Sequence, residues 1–186
     1  MGSGKSTAKR ILSRRIPTID CDGINAALLE KNHDGYAELK KAGLLYTDEQ
    51  GEIDRQAMAD AMFENPDKRK RMEQILHPLI VRDLKNWIGE QTDVCAAEVP
   101  LLFECSLENL FDEVWTVVCS TETALCRLES GRNISRDEAT RRLALQYPVE
   151  KKKAASDRVL ENDGTEKDLE KIIDGYLEDM RKGSRQ

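Results

Sequence analysis

Aromatic side chains are scarce in this 186-residue chain: three Phe, two Trp and four Tyr make up 5% of it. No apolar run approaches the roughly 18 residues of a membrane-spanning helix, and the first residues read as a loop rather than a basic stretch followed by an apolar one. No membrane partner is expected, and the default location is cytoplasmic. Basic charge is in deficit too, with 29 Lys and Arg against 35 Asp and Glu and a net charge of −6, so no face is advertised for nucleic acid. The five cysteines (Cys21, Cys95, Cys105, Cys119, Cys126) form no C-x-x-C pair, and with two histidines in the whole chain they support neither a disulfide framework nor a zinc site. Cys21 stands between Asp20 and Asp22, whose negative charge raises a thiol pKa, and it is given no catalytic role. Repeats, low-complexity tracts and long linkers are missing, which leaves one domain long enough to bury a proper core.

What the chain does have stands at its front. Met1-Gly2-Ser3-Gly4-Lys5-Ser6-Thr7 is the downstream part of the phosphate-loop pattern G-x-x-x-x-G-K-[ST], whose first Gly would lie two positions ahead of Met1. In such a loop backbone N–H groups curl around phosphate oxygens, Lys5 reaches the β and γ phosphates and the Ser6 hydroxyl sits on Mg²⁺. A helix beginning at Lys5 adds its positive dipole end. The competing reading is a flexible polar terminus that binds nothing, and the residues that follow weigh against it. Residues 6–15 read as a helix stopping before Ile16-Pro17, and the apolar run Ile16 to Ile19 ends in Asp20. Loop, helix and short strand with a carboxylate at its C-terminal end is the order expected of a phosphate-binding α/β domain.

Further along, Asp22 to Lys31 and Gly35 to Ala42 read as helices, residues 48–51 as a turn, and Asp54 as the N-cap of a helix to about Glu64. Asn65-Pro66 opens another helix, in which His77-Pro78 predicts a kink. Val94 to Val99, Val114 to Cys119 and Val159-Leu160 read as buried strands. Ser120 or Thr121 caps a helix to Ser130, Gly131-Arg132-Asn133 breaks it, Ser135 and Glu138 form a capping box, Pro148 starts a further helical turn or two, and Thr165 caps the C-terminal helix. Helices alternating with short buried strands indicate an α/β fold with a parallel sheet covered on both faces.

Phosphoryl transfer needs a phosphate clamp, a metal, cations for the developing charge and a carboxylate for the acceptor's proton. Asp20, at a strand end, is the candidate for the last, while Asp22 is read as the cap of the next helix. Glu98 ends its strand beside the loop and is the candidate metal acid; otherwise it is a paired core acid. Arg127, Arg132, Arg136, Arg141 and Arg142 cluster around Gly131, where a lid could close guanidinium groups on phosphates. Most are read as solvated helix charges, with Arg132 the first choice and Arg142 the second. His77 reads as a hydrogen-bonded structural histidine before a base, with a substrate contact left open. Met58, Met62, Phe63 and Met72 read as packing rather than a cofactor pocket.

Several separated motifs together resemble the dephospho-coenzyme A kinases along nearly the whole chain: Gly2 to Thr7, Ile19-Asp20-Cys21-Asp22, Ile53-Asp54-Arg55, Ile75-Leu76-His77-Pro78, Val99-Pro100-Leu101-Leu102-Phe103-Glu104, Gln146, and Asp157 followed by Asn162. The resemblance implies a P-loop kinase that moves the ATP γ-phosphoryl group to the ribose 3′-hydroxyl of dephospho-coenzyme A, with Mg²⁺. On the matching positions it implies that Gly2 to Thr7 hold ATP, that Asp20 acts on the hydroxyl, that Arg132 belongs to the lid and that Asn162 lies near the adenine. His77 and Pro100, Leu101, Leu102, Phe103 and Glu104 would border the acceptor pocket. The implied organisation is a core (residues 1–21, 91–131 and 147–186), a helical acceptor lobe (22–90) and a lid (132–146).

Two departures from the family pattern stand out. Glu98 replaces the usual Asp, which keeps the charge and lengthens the arm by a methylene. The family's first, central strand would precede Met1, between the strands of residues 94–99 and 114–119; without it those two face a gap of about 9.5 Å, two strand spacings. The expectation is that Met1 is an internal methionine and that about ten further residues, an apolar strand and Gly-Gly, belong ahead of it. The other functional readings are a different small-molecule P-loop kinase, such as a nucleoside monophosphate kinase, and an inactive nucleotide-binding module.

Overall fold

The computed structural model describes residues 1–132 and 134–183. The chain divides into two compact units, one made of Met1–Thr18 and Glu98 onward, the other of Ile19–Ala97. In chain order the elements are α1 (Lys5–Leu12), β1 (Thr18–Asp20), α2 (Cys21–Leu28), α3 (Asp34–Lys41), α4 (Arg55–Glu64), α5 (Pro66–Gly89), β2 (Ala96–Glu98), β3 (Trp115–Val118), α6 (Thr121–Arg132), α7 (Arg136–Ala144), α8 (Val149–Ala154), β4 (Arg158–Glu161) and α9 (Glu166–Gly183).

The first unit is built on β3 and β4, which pair in parallel with Trp115 opposite Arg158 and Val118 opposite Glu161. α9 is amphipathic and lays Leu169, Ile173 and Leu177 against Leu160 of β4 and against Ala8 and Ile11 of α1. Ile11 and Ile173 are fully buried and Leu160 and Leu169 nearly so; each such side chain contributes about 1.5–3 kcal/mol on burial. Arg15, just beyond α1, ties the same two helices together by donating to Asp174 and Glu170. α9 begins with a reciprocal cap, in which Thr165 Oγ1 accepts from the Asp168 N–H at 3.3 Å and Asp168 Oδ2 accepts from the Thr165 N–H at 2.9 Å.

The second unit is helical. Leu39, Leu44, Met58 and Met72 form its core with Met62 packed against it, so these three methionines are packing residues, whereas Phe63, expected to pack with them, is 91% exposed near the end of α4. α4 and α5 are capped as their sequences predict, with Asp54 accepting from the Ala57 N–H and Asn65 from those of Asp67 and Lys68. Asp48 organises the expected turn by accepting from Gln50 and Glu52, and Gly51 takes the left-handed φ of 78° that the turn requires.

Several expectations are corrected. α5 runs for 24 residues through His77-Pro78 without a break, and Pro78 has no N–H for the carbonyl of Gln74, the missing bond behind the expected kink. α6 continues through Gly131 to Arg132, so Arg132 is helical and not part of a break; Asn133 lies outside the described residues. The α2 cap is Asp20, one residue ahead of the helix, because a cap must keep extended φ/ψ, and Asp22 already lies within the first turn. Only half of the box at α7 forms: Ser135 accepts from the Glu138 N–H, while the Glu138 carboxylate turns to Arg141 and Arg142. Pro148, as expected, starts the short helix α8, standing as its N-cap.

Among the described residues the strands pair as two two-stranded sheets, β1 with β2 and β3 with β4. β2 and β3 thus belong to different sheets. No helix among the described residues is long and apolar enough to cross a membrane.

Candidate functional site

The loop ahead of α1 is bent by two glycines, Gly2 at φ 73° and Gly4 at φ 96°, values at which L side chains are strained. Space forbids side chains there as well. A Cβ on Gly2 would come within 2.8 Å of the Ala124 carbonyl oxygen in α6, and one on Gly4 within 2.1 Å of Asn162 Nδ2. Gly4 is the N-cap of α1 and has no side chain to cap it, so the helix N-terminus meets its surroundings through backbone N–H groups and a positive dipole end. A helix start of this kind, open and led by glycines, is the sort of place where anions are held by backbone N–H groups.

Ser6, in the first turn of α1, donates from Oγ to Glu98 Oε1 at 3.2 Å. The hydroxyl and carboxylate nominated as metal ligands therefore stand side by side, and both present the oxygen donors a hard cation takes. Among the described residues no group of three or more His, Cys, Asp or Glu could hold a metal by itself. Two oxygens completed by water and phosphate are what Mg²⁺ ordinarily receives from a protein.

Behind the loop lies a contact network that sequence reasoning missed. Asn162, 5% exposed, donates from Nδ2 to the Ser3 carbonyl at 2.7 Å. Arg127 donates from one guanidinium nitrogen to the Asn162 carbonyl at 2.9 Å and from another to that of Gly164 at 3.4 Å. Asp163 accepts the Ser120 N–H at the start of α6, and hydrogen bonds from Thr123 and Ser120 hold its carboxyl below the usual range. Cys119 Sγ donates to the Gly2 carbonyl at 3.8 Å, and burial pushes its thiol pKa up against the smaller pull of Arg127. Arg127 reads in the sequence as one of five helix charges. The available signal was its place three residues after Ala124 on one helix face, and that spacing alone does not show what the face meets.

The lid arginines differ in their engagements. Arg136 is salt-bridged to Glu122 and Glu129 across α6 and α7, and hydrogen bonding with Arg136 lowers the Glu122 pKa. Arg142 pairs with Glu138 one turn back at 2.7 Å, an exposed contact inside its own helix. Arg132 ends α6.

Of the candidate acceptor residues, Pro100 to Glu104 form successive turns after β2, closed by the Cys105 N–H to the Leu101 carbonyl and the Leu107 N–H to that of Leu102. Phe103 stacks on Tyr147 with ring centroids 6.2 Å apart, Glu104 pairs with Lys152 at 3.3 Å, and Leu101 is exposed. In the helical unit, Asp20 Oδ1 accepts the Gly23 N–H at 2.5 Å. His77, midway along α5, keeps Nε2 buried with no hydrogen-bond partner among the described residues, as does Asn25 Oδ1. The hydrogen-bonded structural role expected of His77 does not extend to that atom.

A glycine-bent loop feeding an uncapped helix, with a hydroxyl and a carboxylate beside the first turn, on parallel strands covered by helices, defines a P-loop phosphotransferase fold. The family model described as dephospho-CoA kinase matches residues 1–168. Dephospho-CoA kinases of Bacillus thuringiensis subsp. konkukian and Staphylococcus aureus (strain Mu50) are each 34% identical to this chain, over 89% and 96% of it and 86% and 89% of their own lengths. A crystal structure from Thermus thermophilus superposes with a TM-score of 0.79 at 31% identity, covering 96% of this chain and 93% of its own. The dephospho-CoA kinase of Campylobacter jejuni shares the fold, with a TM-score of 0.65 at 23% identity over 95% and 91%. The chain belongs to the dephospho-CoA kinase family.

Proposed function

We propose that this kinase transfers the γ-phosphoryl group of ATP to the 3′-hydroxyl of dephospho-coenzyme A, releasing ADP and coenzyme A. The observation that carries the reading is the Ser6–Glu98 contact beside the glycine-bent, uncapped start of α1. Residues Gly2 to Thr7 cradle the triphosphate, and Lys5 stabilises charge developing between its β and γ oxygens. Ser6 and Glu98 would hold Mg²⁺, which when bound neutralises phosphate charge. Asp20 accepts the proton of the acceptor hydroxyl as the new O–P bond forms and the bond to the β-phosphate oxygen breaks.

The further roles are read from the same pattern. Residues 22–90 serve as the acceptor lobe and 132–146 as the lid. Arg132 is the catalytic lid cation, with Arg142 exchanging its exposed Glu138 partner for a phosphate. The orphaned His77 Nε2 supports an acceptor contact, since a buried polar atom without a partner costs about 1–3 kcal/mol that a ligand hydrogen bond would recover. The exposed Leu101 and the Phe103–Tyr147 stack support an apolar border for the Pro100 to Glu104 segment. Work in the cytoplasm fits a soluble small-molecule kinase.

The test is ADP release from ATP with dephospho-coenzyme A or AMP as acceptor. Turnover with dephospho-coenzyme A alone is expected. Phosphorylation of AMP would favour a nucleoside monophosphate kinase, and ATP binding without turnover on either acceptor an inactive module.

A further inference from the structure

We infer that Asn162 and Arg127 are positioning residues that set the phosphate loop from behind, acting on it through the Ser3–Gly4 peptide. The inference rests on the loop's assignment to phosphate. Ser3's carbonyl accepts from Asn162 Nδ2 at 2.7 Å. A trans peptide is planar and its C=O and N–H point in opposite directions, so anchoring that carbonyl turns the Gly4 N–H away from Asn162. An N–H so fixed is one of the donors with which such a loop holds phosphate.

Two features show that Asn162 is built to hold and not merely to touch. It is nearly fully buried, and its backbone N–H donates to the Val118 carbonyl at 2.8 Å, which extends the β3–β4 ladder and leaves the side chain little freedom. Its carbonyl is clamped by Arg127, which also reaches Gly164, so the turn after β4 is tied to α6 by a charged fork. The fit with the loop is close enough that Gly4 has no room for a Cβ beside Asn162 Nδ2. Asn162 supplies the donor, Gly4 the space and Arg127 the rigidity.

This role differs from a contact with the adenine, and inorganic tripolyphosphate, which has no base, separates the two. Asn162→Asp keeps the shape but sets a carboxylate oxygen against the Ser3 carbonyl. Calorimetry on the full chain should show ATP and tripolyphosphate weakened by the same factor, about tenfold or more, for the loss of one buried hydrogen bond. The KM for dephospho-coenzyme A should stay near wild type, while the melting temperature falls because a buried carboxylate faces a carbonyl, so binding is measured well below the melting transition of the variant. Arg127→Lys, which cannot span two carbonyls, should weaken both ligands by a smaller common factor. In an Asn162→Ala background Arg127→Lys should add almost nothing, because its route to the loop is gone. Loss of ATP affinity with unchanged tripolyphosphate affinity would overturn the inference in favour of base contact. Multiplying losses in the double variant would overturn it in favour of Arg127 acting on the ligand directly. If the binding pattern holds while the wild type fails to phosphorylate dephospho-coenzyme A, the acceptor assignment is wrong and the positioning role stands.

Discussion

Asp20 Oδ1 accepts the backbone N–H of Gly23 at 2.5 Å, so the carboxylate proposed to take a proton also closes the N-terminus of α2. The two duties separate by substitution. Asn is as good an N-cap as Asp, so Asp20→Asn should leave the melting temperature nearly unchanged while kcat falls by orders of magnitude and ATP affinity changes little. Asp20→Ala should lose the same activity and about 1 kcal/mol of stability besides. Equal losses of kcat and ATP affinity in Asp20→Asn would make the carboxylate structural.

Ser6 and Glu98 make an exposed contact with no packing consequence, so their variants should read out in metal dependence and not in folding. Ser6→Ala and Glu98→Gln are each expected to raise the Mg²⁺ concentration for half-maximal turnover by about tenfold, with little change in melting temperature. A magnesium titration at saturating ATP checks this. Unchanged magnesium curves in both variants would remove the pair from the metal site.

Lys5→Ala should lower turnover by orders of magnitude, because the cation proposed to stand between the β and γ oxygens is lost. Gly2→Ala tests the loop from its other side, since a Cβ within 2.8 Å of the Ala124 carbonyl meets backbone that cannot yield. It should weaken tripolyphosphate binding while the core on Leu160, Leu169 and Ile173 keeps the protein folded. Near-normal turnover in Lys5→Ala would contradict the loop assignment.

Much of the fold was legible because it is locally encoded. Asp54, Asn65, Ser135 and Thr165 announce their helices by a side-chain acceptor one residue ahead of a helical period, and each caps as expected. Misreadings arose where local signals compete. Gly131 signals a break but is tolerated inside α6, which continues to Arg132. In the site, the Gly2 to Ser6 segment is legible because its chemistry lies in contiguous residues. The Asn162–Ser3 bond spans 159 positions, and Arg127 reaches Asn162 from another helix. Such tertiary contacts leave no periodic trace in a single sequence.

Acid should loosen the unit built on β3 and β4 through Glu113. Its carboxylate accepts from Arg158 at 2.9 Å and from the Trp115 indole at 2.8 Å, and the Arg158 hydrogen bond, the larger cause, holds its pKa below the ordinary 4.5. Because the folded value is the lower one, the unfolded chain binds the extra proton first as pH falls. The contribution is therefore complete above about pH 4.5 and is lost as pH drops through the folded value. Glu113→Gln should cost about 1 kcal/mol at neutral pH and flatten the decline below pH 4.5. Urea unfolding from pH 7 down to 3 checks both, and a variant with the wild-type slope would show that Glu113 is not a source of the acid sensitivity.

His77→Leu tests the orphaned imidazole nitrogen in α5. Replacing a buried atom that has no partner with an apolar group of similar size should leave the melting temperature equal or raise it. A structural histidine whose hydrogen bonds matter would instead cost stability. If Nε2 meets the acceptor, the same variant should raise the KM for dephospho-coenzyme A about tenfold and leave ATP affinity alone, since one uncompensated ligand hydrogen bond is lost. A variant that is less stable with an unchanged acceptor KM would return His77 to the core.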